Sequence, residues 1–92
     1  MIVYAEIECM LYEGNSLKEK RAIIKQITAK LRNELNVAIA ELDYQDLWRR
    51  TKLGILTISN DYVFSEKVIQ NALEVIDSFP ELERTITHIE RL

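Results

Sequence analysis

The amino-acid sequence predicts an α+β domain in which two strand–helix–strand halves follow each other in the order βαββαβ. Two observations lead to this prediction: four short apolar segments with strand character, and two longer segments whose apolar residues recur at helical spacing. Right-handed crossovers in both halves place the two helices on one face of a four-stranded antiparallel sheet. In this ferredoxin-like arrangement the first and third strands are central, and the second and fourth are edges.

The first half consists of a strand over Ile2–Tyr12, a helix and a second strand over Val37–Leu42. In the first strand apolar and polar residues alternate, and Gly14-Asn15 breaks it. Ser16 begins the helix, with Glu19 three residues later in a capping box, and the helix ends near Asn36. Its core face covers an arc of about 80° and consists of Leu17, Ile24, Ile27, Leu31 and Leu35.

The second half begins with a strand over Leu53–Ser59. Asn60 or Asp61 can cap a helix that runs to about Phe79, and Pro80 stops it. The last strand covers Arg84–Ile89. The apolar face of the second helix is wide and comprises Phe64, Val68, Ile69, Ala72, Leu73, Val75, Ile76 and Phe79.

Composition indicates one globular domain over residues 1–92. The chain is 48% hydrophobic and 29% charged, which argues against disorder. Its apolar runs are shorter than the ~20 residues that span a bilayer, and no export signal is visible, so we expect no membrane association. A single Cys allows no internal disulfide and favours the cytoplasm. No Gly-rich phosphate loop is present, and we expect no cofactor.

The net charge of −3 is unevenly distributed along the chain. Residues 16–52 hold nine bases and five acids, while the remainder holds three bases and ten acids. A basic stripe lies beside the apolar face of the first helix within about 60° and consists of Lys18, Arg21, Lys25 and Arg32. Such a stripe could contact a phosphate backbone, although it could equally be a solvated helix face. Lys20 falls inside the apolar arc, and we expect its ammonium group to reach outward to water.

The segment between the second and third strands is rich in charged and aromatic residues. It joins the strands without Gly or Pro and contains Tyr44, Trp48, Arg49, Arg50 and Lys52. Aromatic rings with interleaved bases suit single-stranded RNA, whereas Trp, Tyr and Arg also form protein–protein hot spots. We expect the three bases to join the basic stripe in one nucleic-acid surface, with Tyr44 and Trp48 as partner-binding residues.

Three blocks of the sequence resemble the YlxP-like family of small bacterial proteins of unknown function. They are SLKEKR (Ser16–Arg21), LDYQDLW (Leu42–Trp48) and LGILTISND (Leu53–Asp61), and together they make the resemblance cover essentially the whole chain. The resemblance implies a ferredoxin-like fold and no established enzymatic activity. The family's genes often lie beside those for translation initiation factor two and ribosome-binding factor A, which implies ribosome or RNA association. It supplies no agreed functional residues.

Catalytic alternatives are weak. Glu41, Asp43 and Asp46 match no known cation-binding loop, and we interpret them as surface carboxylates that balance Arg49 and Arg50. His88 lies in a strand without a nucleophile motif, and Cys9 alternates with the inward residues of the first strand as a buried thiol.

The sequence therefore favours a non-enzymatic binding module, RNA- or ribosome-associated through the helix-one and mid-chain bases. The alternative is an assembly module that acts through homo-oligomerisation. Glu6 and Glu8 on the outward side of the first strand disfavour RNA binding on the open sheet face and suit a second protein, such as another copy.

Overall fold

The computed structural model describes residues 1–12 and 16–92 and has the predicted order of elements. These are β1 (Ile2–Leu11), α1 (Leu17–Glu34), β2 (Ala38–Asp43), β3 (Arg50–Ile58), α2 (Tyr62–Asp77) and β4 (Leu82–Arg91). The strand break predicted at Gly14-Asn15 lies outside the described residues. Within them, neither helix is long and apolar enough to cross a membrane.

The four strands form one antiparallel sheet in the order β2-β3-β1-β4. The central positions of β1 and β3 and the edge positions of β2 and β4 are as predicted. Buried and less buried residues alternate along the whole length of β1, which indicates that one face of the sheet is covered. Both helices pack on that face. The predicted ferredoxin-like fold is thereby confirmed.

Several boundaries differ from those predicted. Strand β3 begins at Arg50, three residues earlier than expected, because residues 50–52 pair with β1 and lengthen the ladder. Strand β4 extends at both ends to Leu82 and Arg91. Helix α2 ends at Asp77, and Phe64, which we assigned to its core face, is 58% exposed because it lies in the first turn, at the end of the helix layer.

The core lies between the sheet and the helices. It contains the inward residues of β1 and β3 together with Ile27 and Leu31 of α1 and Ile69 and Ile76 of α2. Cys9 belongs to this core as predicted, and burial raises the pKa of its thiol to about 11. The thiol is therefore protonated and inert near neutral pH.

Lys20 corrects one prediction. Its side chain does not reach water but is 0% exposed. The ammonium Nζ lies 2.9 Å from Glu41 Oε2 and donates to the carbonyl oxygen of Tyr44 at 2.5 Å. The paired carboxylate replaces hydration, which makes burial of this charge tolerable.

Candidate functional site

The face of the sheet opposite the helices, here called the open face, has mixed apolar and charged character. On the central strands it consists of Ile2, Tyr4, Glu6, Glu8 and Met10 of β1 and of Arg50, Lys52, Gly54, Leu56 and Ile58 of β3. An antiparallel sheet can present one such face to water. Its exposed apolar side chains nevertheless indicate a contact surface.

The apolar part of the open face is concentrated at one end and along the β2 side. Cross-strand pairing puts Ile2 beside Ile58 and Tyr4 beside Leu56. A shallow hollow of about 210 Å³ lies next to them, lined by Tyr4, Ala38, Ile39, Ala40, Leu42, Gly54 and Leu56. A Cβ at Gly54 would lie 2.7 Å from Leu42 Cδ1, so the missing side chain at this position leaves room for Leu42.

The charges of the two central strands of the open face are sorted by strand. The bases belong to β3 and the acids to β1: Lys52 Nζ lies 2.8 Å from Glu6 Oε1, and Arg50 Nη2 lies 2.9 Å from Glu8 Oε1. The hydrogen bond from Lys52, and then that from Tyr4, lowers the pKa of Glu6. The bond to Glu6 raises the pKa of Lys52. Both groups are therefore charged at neutral pH.

Residues 44–49, here called the Trp48 corner, adjoin the open face between β2 and β3. Trp48 is 51% exposed. The guanidinium carbon of Arg50 lies 4.1 Å from the centre of the Tyr44 ring, and a hydrogen bond to Glu8 raises the pKa of the Tyr44 hydroxyl. A hollow of about 440 Å³ is lined by Met10, Asp46, Leu47, Trp48, Arg49 and Arg50. Trp48 and Tyr44 thus lie where a partner could reach them.

The buried pair between α1 and β2 fixes this corner. Glu41 Oε2 forms an ion pair with Lys20 Nζ and also accepts a hydrogen bond from Thr51 Oγ1 at 2.6 Å. Tyr44, at φ 61°, offers its carbonyl oxygen to both Lys20 Nζ and the Leu47 amide. Because few non-glycine residues adopt positive φ, these contacts stabilise an uncommon backbone conformation.

This network is what sequence reasoning missed. Glu41 was interpreted as balancing Arg49 and Arg50, yet its carboxylate pairs with Lys20 and Thr51. A signal was present in the sequence, since Lys20 lies within the apolar arc of its helix. Its partner could not be identified without knowing which strand lies beside the first turn of α1.

The structure does not bring the residues of the expected nucleic-acid surface together. The basic stripe (Lys18, Arg21, Lys25, Arg32) is exposed on the helix layer. Arg50 and Lys52 lie on the opposite face of the sheet and are paired with β1 acids. Arg49 is exposed at the Trp48 corner. The structure therefore separates these seven residues into three groups, because β3 starts early enough to direct Arg50 and Lys52 to the open face.

The carboxylates, the histidine and the cysteine considered as candidate site residues lie apart from one another in the part of the chain that the structure describes. No cluster of three or more His, Cys, Asp or Glu residues suited to a metal ion occurs in residues 1–12 and 16–92. His88 Nε2 lies 3.9 Å from Glu90 Oε2 on the edge strand β4, whereas Cys9 is buried in the core. Asp43 Oδ1 accepts a hydrogen bond from the Tyr44 amide at 2.7 Å.

Comparison with known proteins agrees with this architecture. A solution NMR structure of a de novo designed protein with a ferredoxin fold superposes with a TM-score of 0.61 at 14% identity, covering 100% of this chain and 87% of the designed one. This similarity concerns the fold alone. The class is thus an α+β, ferredoxin-like domain with an uncovered sheet face.

The sequence comparisons then place the chain in a family. Residues 2–89 match the family described as protein of unknown function DUF503, and the chain belongs to that family. It is 52% identical over 90 residues to the uncharacterized protein YlxP of Bacillus subtilis (strain 168), with 98% of both chains covered. The resemblance seen in the sequence is thereby confirmed.

Proposed function

We propose that this protein is a non-enzymatic assembly module that self-associates through its open sheet face. The observation that supports the proposal is the exposed apolar surface of that face, where Ile58 is 57% exposed beside Ile2 and the Tyr4–Leu56 pair. Water contact at these side chains is unfavourable by about 25 cal/mol per Å² of apolar area, so covering them favours association.

The size of the open face is sufficient for a dimer. Four strands spaced about 4.8 Å apart and up to ten residues long give a footprint of about 600 Å². Two such faces together bury on the order of 1,200 Å², which is the lower end of the range for specific interfaces. We place the module in the cytoplasm, since a single buried thiol needs no oxidising compartment.

Substitution of an exposed apolar residue on the open face tests this proposal. We expect Ile58→Glu to weaken the dimer at least about 100-fold, because two-fold symmetry buries the new carboxylate twice. Light scattering across a concentration series measures the mass, which for the unmodified chain is expected to be twice 10.8 kDa. Ile58 is exposed, so the monomer is expected to remain folded.

Val63→Glu is the matched control. Val63 is 67% exposed, but it belongs to α2 on the helix layer, so the same change in charge and polarity is made away from the proposed contact. We expect this variant to dimerise like the unmodified chain. A chain that stays monomeric at high concentration, or equal weakening by both variants, contradicts the proposal.

A second candidate function, RNA or ribosome association, retains support from the basic stripe alone. Its four bases (Lys18, Arg21, Lys25, Arg32) are all exposed on α1 and span about 21 Å at 1.5 Å per residue. A row of cations of this length can neutralise several phosphates. Arg50 and Lys52 no longer contribute to this candidate.

The RNA candidate predicts a specific pattern of variants. Changing Lys18, Arg21 and Lys25 to Glu is expected to weaken RNA binding at least about tenfold and to flatten the dependence of affinity on salt. Fluorescence anisotropy with single-stranded and duplex RNA at several salt concentrations measures both. Arg50→Gln with Lys52→Gln is the control and leaves affinity unchanged. If all variants bind alike and salt has no effect, the stripe is a solvated helix face.

A further inference from the structure

We infer that the partner on the open face is a second copy related by a two-fold axis that runs along the strands between β1 and β3, so that β3 of each copy lies over β1 of the other. This inference rests on the proposed self-association and assigns its orientation. The residues that determine the orientation are Glu6 and Glu8 of β1 and Arg50 and Lys52 of β3. The apolar residues supply area, and the charged residues select the arrangement.

The apolar residues match in this arrangement. Rotation about a two-fold axis parallel to the strands places β1 of one copy over β3 of the other. Each cross-strand pair of residues, here called a row, then lies opposite the same row of the second copy. Ile58 therefore faces Ile2 of the second copy, and Leu56 faces Tyr4. The Ile2–Ile58 end of the face thus meets the same end of the other copy, and its exposed side chains are covered by apolar groups.

The charges match as well, because bases and acids occupy different strands. Lys52 and Glu8 are direct cross-strand neighbours, so exchanging β1 with β3 places Lys52 over Glu8 of the second copy, twice per dimer. Each carboxylate already receives one base of its own chain, Glu6 from Lys52 and Glu8 from Arg50. A carboxylate has about four acceptor positions, so it can bridge bases from both copies.

At the centre of the face, Gly54 is covered by the side chain of Leu42. Gly54 lies beside Glu6 in the middle row, and the exchange places Glu6 of one copy over Gly54 of the other. Leu42 fills the space above Gly54, so this row adds no close approach, and the charged and apolar rows on either side of it determine the orientation. Packed sheets rotate by about 30° relative to each other. Pairs next to the middle row, such as Lys52 and Glu8, keep their alignment, while the Ile2–Ile58 ends shift sideways but stay at the same end of the interface.

The other simple two-fold axis is disfavoured. A two-fold axis perpendicular to the strands places β1 over β1 of the second copy and β3 over β3. The order of the rows is then reversed, so the first row of one copy meets the last row of the other. Glu6 then meets Glu6, and Ile58 meets the guanidinium group of Arg50. Like charges facing each other oppose association, and this arrangement brings no base over an acid of the other copy. The distribution of side chains therefore selects the axis along the strands.

Mixing two charge-reversed chains tests the orientation. Glu8→Lys alone places Lys against Lys52 at two sites, and Lys52→Glu alone places Glu against Glu8 at two sites. We expect each variant alone to dimerise at least about tenfold more weakly than the unmodified chain. In an equimolar mixture every facing pair is opposite in sign, so a heterodimer is expected to recover most of the lost affinity. Light scattering and native mass spectrometry distinguish the species.

A cross-linking measurement gives a readout that does not depend on charge. A short bis-maleimide is expected to join Ile58→Cys chains to Ile2→Cys chains, whose positions face each other, and not to Met10→Cys chains. The axis across the strands predicts the reverse result. Native Cys9 is buried and does not compete.

The possible outcomes separate the orientation from the proposed function. If the mixture recovers no affinity, or if cross-links form with Met10→Cys, the axis is wrong. The self-association itself survives that result when Ile58→Glu still abolishes the dimer. If the unmodified chain is a monomer, both proposals are wrong. Circular dichroism of each variant confirms that it is folded.

Discussion

Lys20→Met is expected to lower the free energy of unfolding by about 3 kcal/mol, because removing one member of a buried ion pair leaves the other without its partner. Glu41 keeps only Thr51 as a hydrogen-bond donor, and the carbonyl oxygen of Tyr44 loses its shortest contact. Met has a similar length to Lys, so little cavity forms. Urea unfolding followed by circular dichroism measures the change.

Lys18→Met is the matched control for this experiment. Lys18 belongs to the same helix turn but is exposed, and its replacement is expected to change stability by no more than about 0.5 kcal/mol. Adding Glu41→Leu to Lys20→Met is expected to recover part of the loss, because no unpaired carboxylate remains. Equal stability of the two Lys→Met variants contradicts a structural role for the buried pair.

The thiol of Cys9 is expected to react with a thiol reagent at pH 8 at least about 1,000-fold more slowly in the folded chain than in urea. Only the thiolate reacts, and raising the pKa from 9.0 to about 11 makes the thiolate about 100-fold rarer at this pH. Burial then restricts access further. The rate of labelling by Ellman's reagent, followed by absorbance, measures the difference.

The raised pKa of the Cys9 thiol also predicts how the stability of the fold changes with pH. The pKa of the folded thiol is above that of the unfolded thiol, so the contribution of Cys9 to stability is complete below about pH 9 and is lost as the pH rises through about 11. Cys9→Ala lacks this dependence and serves as the reference in urea unfolding at pH 8, 9 and 10. Rapid labelling of the folded chain at pH 8 contradicts the burial of the Cys9 thiol. The same dependence of stability on pH in both chains contradicts its raised pKa.

The fold was predictable because its signals are local and repeated. The alternation along β1, the caps at Ser16 and Asp61 and the apolar faces of the helices each describe a segment without reference to any other. The two-half order then leaves few arrangements consistent with right-handed crossovers. Boundary errors were small, and only the start of β3 changed the position of candidate site residues.

The placement of the candidate site residues was not predictable to the same extent. Starting β3 at Leu53 left Arg50 and Lys52 in a connection, with no defined side of the sheet. Starting it at Arg50 makes them alternate with the buried Thr51 and Leu53 and directs them to the open face. The three additional strand residues, 50–52, thus decide whether the cations of Arg50 and Lys52 can lie beside α1.

The other contacts that were not predicted join residues that lie far apart in the sequence. Lys20 and Tyr44 are separated by 24 positions, and Arg50 and Glu8 by 42. A helical wheel shows that Lys20 lies among apolar neighbours, but it cannot show which acid lies opposite. The distribution of charges over β1 and β3 likewise becomes visible only once these strands are known to be neighbours.

The carbonyl oxygen of Tyr44 receives the Leu47 amide at 3.0 Å and the Lys20 ammonium group at 2.5 Å. One atom therefore joins a tight turn to the beginning of a helix. A force that draws the helix start away from the sheet would also weaken the turn that precedes Trp48. The amino end of α1 and the connection between β2 and β3 are in this way mechanically coupled.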